Sequence, residues 1–251
     1  MKKYLSIILI LLLASALRLF ALDKFPAGLN ADEAAIGYNA WSLIQTGKDE
    51  HGASWPLVFR SFDDFKPPVY FYLVLPFVKI LGLNIWAVRL PSAILGIASV
   101  YLVYLLARSL FPKNKYLPVI SALLLAISPW HLQFSRGGWE VNAALFFILL
   151  GLWAFFRGLE KTKLLFLFAA SMATGMYAYH SARIISPLLV LSLLVIYWKP
   201  LLGDLAPKRI KLVIAAAVLG FVLVLPLAGQ LLSKEGQSRF TGVSVFADTG
   251  P

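Results

Sequence analysis

Eight apolar segments decide what this chain can become. They fall at roughly 4–22, 67–82, 87–110, 117–133, 139–157, 163–180, 184–199 and 211–231. The 251 residues are 60% hydrophobic, with a mean hydropathy of +0.79. No water-soluble domain needs so much apolar surface, so the bilayer is the solvent for most of the chain. Lipid offers the backbone no hydrogen-bond partners, and runs of this length satisfy their own N–H and C=O groups only as helices. The expected fold is therefore all-α and integral to a membrane. Short connections, Pro112 to Tyr116 and Arg157 to Lys163, point to antiparallel neighbours.

The first segment follows Met1-Lys2-Lys3 and contains Ala14-Ser15-Ala16, a pattern like a signal-peptide cleavage site. Its apolar character continues through Leu17, Leu19, Phe20 and Leu22, which suits an uncleaved spanning anchor better. Charge then sets the direction of threading. With 67–82 at the outer surface, the inner side holds twelve basic residues: Lys2, Lys3, Arg108, Lys113, Lys115, Arg157, Lys161, Lys163, Lys199, Lys208, Arg209 and Lys211. Only Glu160 and Asp204 oppose them, so the inner side carries +10 and the outer side +1. If 67–82 crossed, every later loop would flip and most of that charge would move outside. The positive-inside rule selects the first arrangement, and a run of about sixteen residues is also short for a span. The expectation is about seven transmembrane helices in a multi-pass cell-membrane (plasma or inner membrane) protein with a cytoplasmic N-terminus. Residues 23–86 form the first extracytoplasmic loop, 232–251 open a further one, and 1–251 make a single module. The net charge of +11 thus reflects topology and membrane lipid rather than nucleic acid. With no Cys, there is no disulfide, thiol nucleophile or thiolate metal site.

Polar groups gather on the outer face. Asp32-Glu33 lies just past the first segment, and Asp63-Asp64-Phe65-Lys66-Pro67-Pro68 opens the second. Arg89, Arg136, Glu140, His180, Arg183 and Arg239 fall on the same side. Ionisable groups at the mouth of an apolar protein are costly there and usually serve chemistry or binding. Each also has a plainer reading. Asp32 suits the N-cap of a helix from Glu33 to Ile44, and Glu33 its N-terminal dipole. Lys66 could snorkel to headgroups and Arg89 could anchor an interface. Arg136 and Glu140, around Gly137-Gly138-Trp139, could close a salt-bridged turn. Tyr177, Tyr179, His180 and Arg183 read equally as an aromatic belt. Arg18, His51 and His131 read as structural. The three histidines are far apart and show no zinc spacing, so no metal ligand is assigned. Oxygen groups from Asp32, Glu33 and Asp64 would suit a hard divalent cation, and no other cofactor is implied.

The ordered set Phe25-Pro26, Asp32-Glu33, Lys66-Pro67-Pro68-x-Tyr70 and Arg89-Leu90-Pro91-Ser92-Ala93, with Ser128-Pro129 and Ser135-Arg136, resembles the GT-C glycosyltransferases. Nearest in pattern is the superfamily of protein O-mannosyltransferases and lipid A aminoarabinose transferases, and the similarity covers essentially the whole chain. The resemblance implies a seven-helix module with two juxtamembrane helices in the first outer loop. It also implies a polyprenyl-phosphate-linked sugar donor, inverting transfer, and an extracytoplasmic site. A hexose such as mannose would move to a protein, lipid or polysaccharide hydroxyl. Members of the family continue into further helices, whereas this sequence ends at Asp248-Thr249-Gly250-Pro251, so a truncated sequence is expected.

On that resemblance Asp32 is the general base, with Glu33 beside it to orient the acceptor. A single carboxylate suffices, because a phosphate leaving group is weakly basic and needs no general acid. Lys66, with Arg89 and Arg239, would bind the donor phosphate. Asp64, Tyr70, Arg136, Glu140, Tyr179, His180 and Arg183 would contact substrate. The competing readings are a transporter or flippase and a non-catalytic membrane subunit. A transporter should place ionisable groups near the bilayer midplane, and the later helices have almost none at their centres.

Overall fold

The computed structural model describes residues 2–61, 64–203 and 206–231. Helix α1 (Lys2–Leu19) leads to α2 (Ala31–Thr46), then to a small hairpin of β1 (Phe59–Ser61) and β2 (Asp64–Lys66). Helices α3 (Val69–Leu81), α4 (Ile85–Leu110), α5 (Leu117–Ile127), α6 (Pro129–Arg136), α7 (Glu140–Gly158) and α8 (Leu164–Ala178) follow. The described chain closes with α9 (Ala182–Ile196), the short α10 (Trp198–Leu202) and α11 (Pro207–Leu231). The all-α membrane architecture holds, with the antiparallel hairpin as an addition that the apolar pattern did not signal. Its register pairs Phe59 with Lys66 and Ser61 with Asp64.

Among the described residues three helices are long and apolar enough to cross a bilayer: Ile85–Leu110, Glu140–Gly158 and Pro207–Gln230. A fourth candidate is the bent pair α5–α6. The shorter apolar helices Tyr4–Leu19, Leu164–Ala178 and Ala182–Ile196 lie at the other segments expected to span, and Val69–Leu81 is shorter than these three.

The run expected as one helix over 117–133 is broken. At Ser128-Pro129 the chain turns by 57° between α5 and α6. Proline restricts the residue before it and cannot donate to the preceding turn, yet it is pre-shaped for a first helical position. Ser128 completes the new start by accepting from the His131 N–H. The break leaves carbonyls of α5 without helical partners, and Arg18 of α1 takes them. Its guanidinium is 0% exposed and donates to Ala126 O (3.1 Å), Leu125 O (3.3 Å) and Ala14 O (3.2 Å). It also donates to His131 Nδ1 at 2.7 Å, so that nitrogen is the acceptor and the ring proton sits on Nε2. A return bond comes from α6, where Arg136 donates to Leu17 O, Phe20 O, Ala21 O and Phe25 O at the end of α1. Arg18 thus caps the C-terminus of α5 and Arg136 that of α1, where a cation also meets the negative end of the helix dipole. The elements approach closely, and a Cβ on Gly96 of α4 would lie 2.4 Å from Cβ of Ser135.

The largest core among the described residues joins the elements between α1 and α4 to the bundle. Ile36, Ala40 and Leu43 of α2 pack with Phe59 of β1, with Phe71 and Val74 of α3, and with Val88 and Ala143. Phe59 and Phe71 stack with centroids 4.0 Å apart. Polar ties then fix α6 and α7 on α4. Asn142 Nδ2 donates to Ser92 O (2.8 Å) and Oγ (3.0 Å), and Ser92 Oγ donates to Phe134 O (3.2 Å).

Replacing Arg18 by Met should lower stability by about 3 kcal/mol, because buried carbonyls and His131 lose their donor together. Thermal unfolding in detergent checks this. A melting curve unchanged by Arg18→Met would show that water serves those carbonyls equally well.

Candidate active site

Helix α2 begins with a capping box. Asn30 Oδ1 accepts from the Glu33 N–H (2.8 Å), and the Asn30 N–H donates back to Glu33 Oε2 (3.1 Å). The N-cap is therefore Asn30, not Asp32, and the helix spans Ala31–Thr46 rather than 33–44. With that register Asp32 points its carboxylate outward while Glu33, one position on, is turned inward.

Glu33 is only 2% exposed. Its Oε1 accepts from Arg89 Nε (2.7 Å) and the Gly138 N–H (2.8 Å), and its Oε2 from Arg89 Nη2 (3.0 Å). Burial pushes this carboxyl up, but the Arg89 hydrogen bond, the Gly138 and Asn30 amides and the Arg89 charge outweigh it. The group is left below the usual glutamate range. Arg89, 0% exposed, sends its other donors to Leu22 O (3.0 Å), Pro26 O (2.8 Å) and Gly28 O. All five guanidinium N–H groups are then satisfied. The phosphate-binding role expected of Arg89 does not fit this geometry, and neither does a catalytic role for Glu33. The pair is a sealed bidentate bridge between α2, α4, the α1–α2 loop and the loop before α7.

Beside the bridge opens a cavity of about 190 Å³, of the scale of a small-ligand subsite. Three carboxylate residues line it, Asp32, Asp64 and Glu140, together with Lys66 and His180. Phe134, Trp139 and Tyr179 form aromatic walls, and Pro67 and Val141 complete the lining. Lys66 Nζ is directly ion-paired with Asp32 Oδ1. The two ends differ in access: the Lys66 side chain is 7% exposed and that of Asp32 42%. The hairpin explains the lysine's burial, since its register partner Phe59 is locked against Phe71. Phe134 and Trp139 meet edge to face at 6.2 Å. Their approach depends on Gly137-Gly138, because a Cβ at Gly137 would lie 2.3 Å from Trp139 Nε1.

Of the residues singled out in sequence, the structure gathers Asp32, Asp64, Lys66, Glu140, Tyr179 and His180 around one cavity. It places others elsewhere. The buried Tyr70 donates its hydroxyl to Val88 O at 2.8 Å and packs in the core. Arg136 caps α1, and Arg183 Nε donates to Met176 O at the end of α8 (3.4 Å); neither lines the cavity. Arg239 lies outside the described residues. Phe134 and Trp139 were not picked out from sequence; the Gly137-Gly138 pair beside them was the available signal. For a metal the arrangement does not fit. Among the described residues no three His, Cys, Asp or Glu groups cluster to hold an ion, and Glu33 of the expected trio is committed to Arg89. What the site offers is a carboxylate able to take a proton, an ammonium able to pair with an anion, and aromatic faces suited to an apolar sugar face.

Because Glu33 is depressed in the folded state, its stabilisation is present above the unfolded glutamate range and is lost as pH falls through the lower folded value. Glu33→Gln should therefore destabilise at neutral pH by about 3–5 kcal/mol, leaving Arg89 buried and unpaired. It should also flatten the acid limb of the melting-temperature profile. A pH profile parallel to that of the wild type would refute the assignment.

Comparisons with known proteins show what the chain is similar to. Over 200 residues the chain is 29% identical to "Putative mannosyltransferase YkcB" of Bacillus subtilis (strain 168), covering 74% of this chain and 27% of that protein. Over 111 residues it is 31% identical to "Putative mannosyltransferase YycA" of the same organism, covering 44% of this chain and 16% of that protein. The chain thus spans only a minor part of the length of these relatives. No solved structure matches it. The sequence model for dolichyl-phosphate-mannose-protein mannosyltransferases matches residues 65–229, from the hairpin through most of α11. The chain, with its apolar helices and its cavity beside the hairpin, belongs to the dolichyl-phosphate-mannose-protein mannosyltransferase family.

Proposed function

We propose that this chain is the catalytic module of a membrane glycosyltransferase. It moves a sugar, a hexose such as mannose, from a polyprenyl-phosphate donor to a hydroxyl of a protein, lipid or polysaccharide acceptor, with inversion at the anomeric carbon. The observation that carries the reading is the pairing of Asp32 with Lys66 at the wall of an aromatic-lined cavity. Asp32, the more exposed partner, takes the acceptor proton as the hydroxyl attacks. Lys66 supplies the positive charge that meets the departing phosphate, an electrostatic contribution placed where charge develops. Phe134, Trp139 and Tyr179 hold the sugar by its apolar face, and Glu140 and His180 offer polar contacts to its hydroxyls. Residues 1–251 act as one module, the cavity facing the extracytoplasmic side with the loop 23–86 and the N-terminus in the cytoplasm.

Membranes carrying the protein should transfer labelled sugar from a polyprenyl-phosphate donor, and Asp32→Asn should cut the rate about 10³-fold at an unchanged melting temperature. Full activity in that variant would remove Asp32 as the base. No transfer by a folded protein with any donor would favour a transporter or a scaffolding subunit. Orientation has its own check. A cysteine placed at exposed Trp55 should react with an impermeant maleimide added to intact cells, and one at exposed Tyr116 should not. The reverse labelling would invert the topology.

A further inference from the structure

Resting on the donor reading above, the geometry points to Asp32 as a competitor of the donor phosphate: both use the single cation Lys66, so that occupancy of the donor site switches the base on. The Lys66 ammonium is held by the Asp32 carboxylate. While Asp32 Oδ1 accepts from this ammonium, that oxygen is engaged and not open to an acceptor hydroxyl. The cavity around the pair contains two more carboxylate residues, Asp64 and Glu140, and Lys66 is the one lysine or arginine among its described lining residues. An entering phosphate therefore meets carboxylates and one cation already engaged. It gains its place by drawing Lys66 away from Asp32. The lysine is free to move only at its side chain, since β2 is paired in register with β1 and Phe59 is locked on Phe71.

The consequences follow through the transfer step. With phosphate on Lys66, the Asp32 carboxylate is released from the ammonium, and its freed oxygen can accept a proton from the acceptor hydroxyl. The acceptor O–H bond breaks towards Asp32, the new O–C1 bond forms, and the C1–O bond to phosphate breaks with its electron pair going to the phosphate oxygen. Asp32, now neutral, no longer competes, so Lys66 holds the phosphate most firmly while negative charge accumulates on it. When Asp32 gives its proton to water, its charge returns, recaptures Lys66 and weakens the hold on the spent polyprenyl phosphate. Binding, activation and release are then coupled through one ammonium group.

Equilibrium binding of undecaprenyl monophosphate, without sugar, to the purified full chain in phosphatidylcholine nanodiscs tests this. Wild type is compared with Asp32→Asn, Asp32→Ala and Lys66→Met, each checked for an intact melting transition. Removing the competitor should tighten binding about three- to tenfold in both Asp32 variants, the scale of losing a partly exposed ion pair. Lys66→Met should weaken it at least about tenfold. The alanine variant separates lost competition from a new hydrogen bond donated by the asparagine amide. If both Asp32 variants bind as wild type or more weakly while Lys66→Met is impaired, competition is refuted and the donor reading stands. If Lys66→Met binds as wild type, or wild type does not bind at all, the donor reading itself fails and the coupling with it.

Discussion

One buried ion pair carries the organisation of the region around the cavity. Glu33 and Arg89 lie 56 residues apart in sequence, and their bidentate contact is sealed from solvent. Taking both charges out of water is costly, and the arrangement is stable because every remaining hydrogen-bonding position is filled. Arg89 gathers the carbonyls of Leu22, Pro26 and Gly28, while Glu33 gathers the amides of Asn30 and Gly138. The α1–α2 connection, the start of α2, the start of α4 and the entrance to α7 therefore meet at one point. Removing either partner would leave a lone charge among polar groups oriented for it.

The adjacent residue shows the same chemistry under opposite conditions. Asp32 and Glu33 both face a cation, but helical geometry separates their directions by about 100°. One acid is turned into the protein and satisfied; the other is turned to a cavity with a single lysine partner and partial access to water. Rigidity and reactivity are thus distributed between consecutive positions of one helical turn. The sealed pair holds the open pair in place.

Much of this was visible in the sequence and some was not, for physical reasons. Apolar runs declare membrane helices because lipid imposes one solution on the backbone, and the helix bounds at 87–110, 139–157 and 211–231 lie within a few residues of those observed. Asp32, Asp64 and Lys66 were recognisable because charge is scarce here and its positions stand out. The α5–α6 break was written in Ser128-Pro129, a cap followed by a first-turn proline, but the surrounding apolar run concealed it. The partner of Arg89 could not be read at all, since sequence does not state which distant residues meet. For the same reason Arg89 looked like an exposed phosphate ligand, and Arg136 like the partner of nearby Glu140. The hairpin escaped because three-residue strands have too few positions to show alternation.

The reciprocal arginine caps have a consequence in time as well as in space. The carbonyls at the end of α1 are satisfied by Arg136, 111 to 119 residues further along the chain. Arg18, in return, waits for α5 and His131. A ribosome delivers α1 before α5 and α6, so its guanidinium and its C-terminal carbonyls meet these partners only later. Biogenesis of this module is therefore closed like a ring, in which α1 is made well before α5 and α6 yet reaches its final bonds only with them.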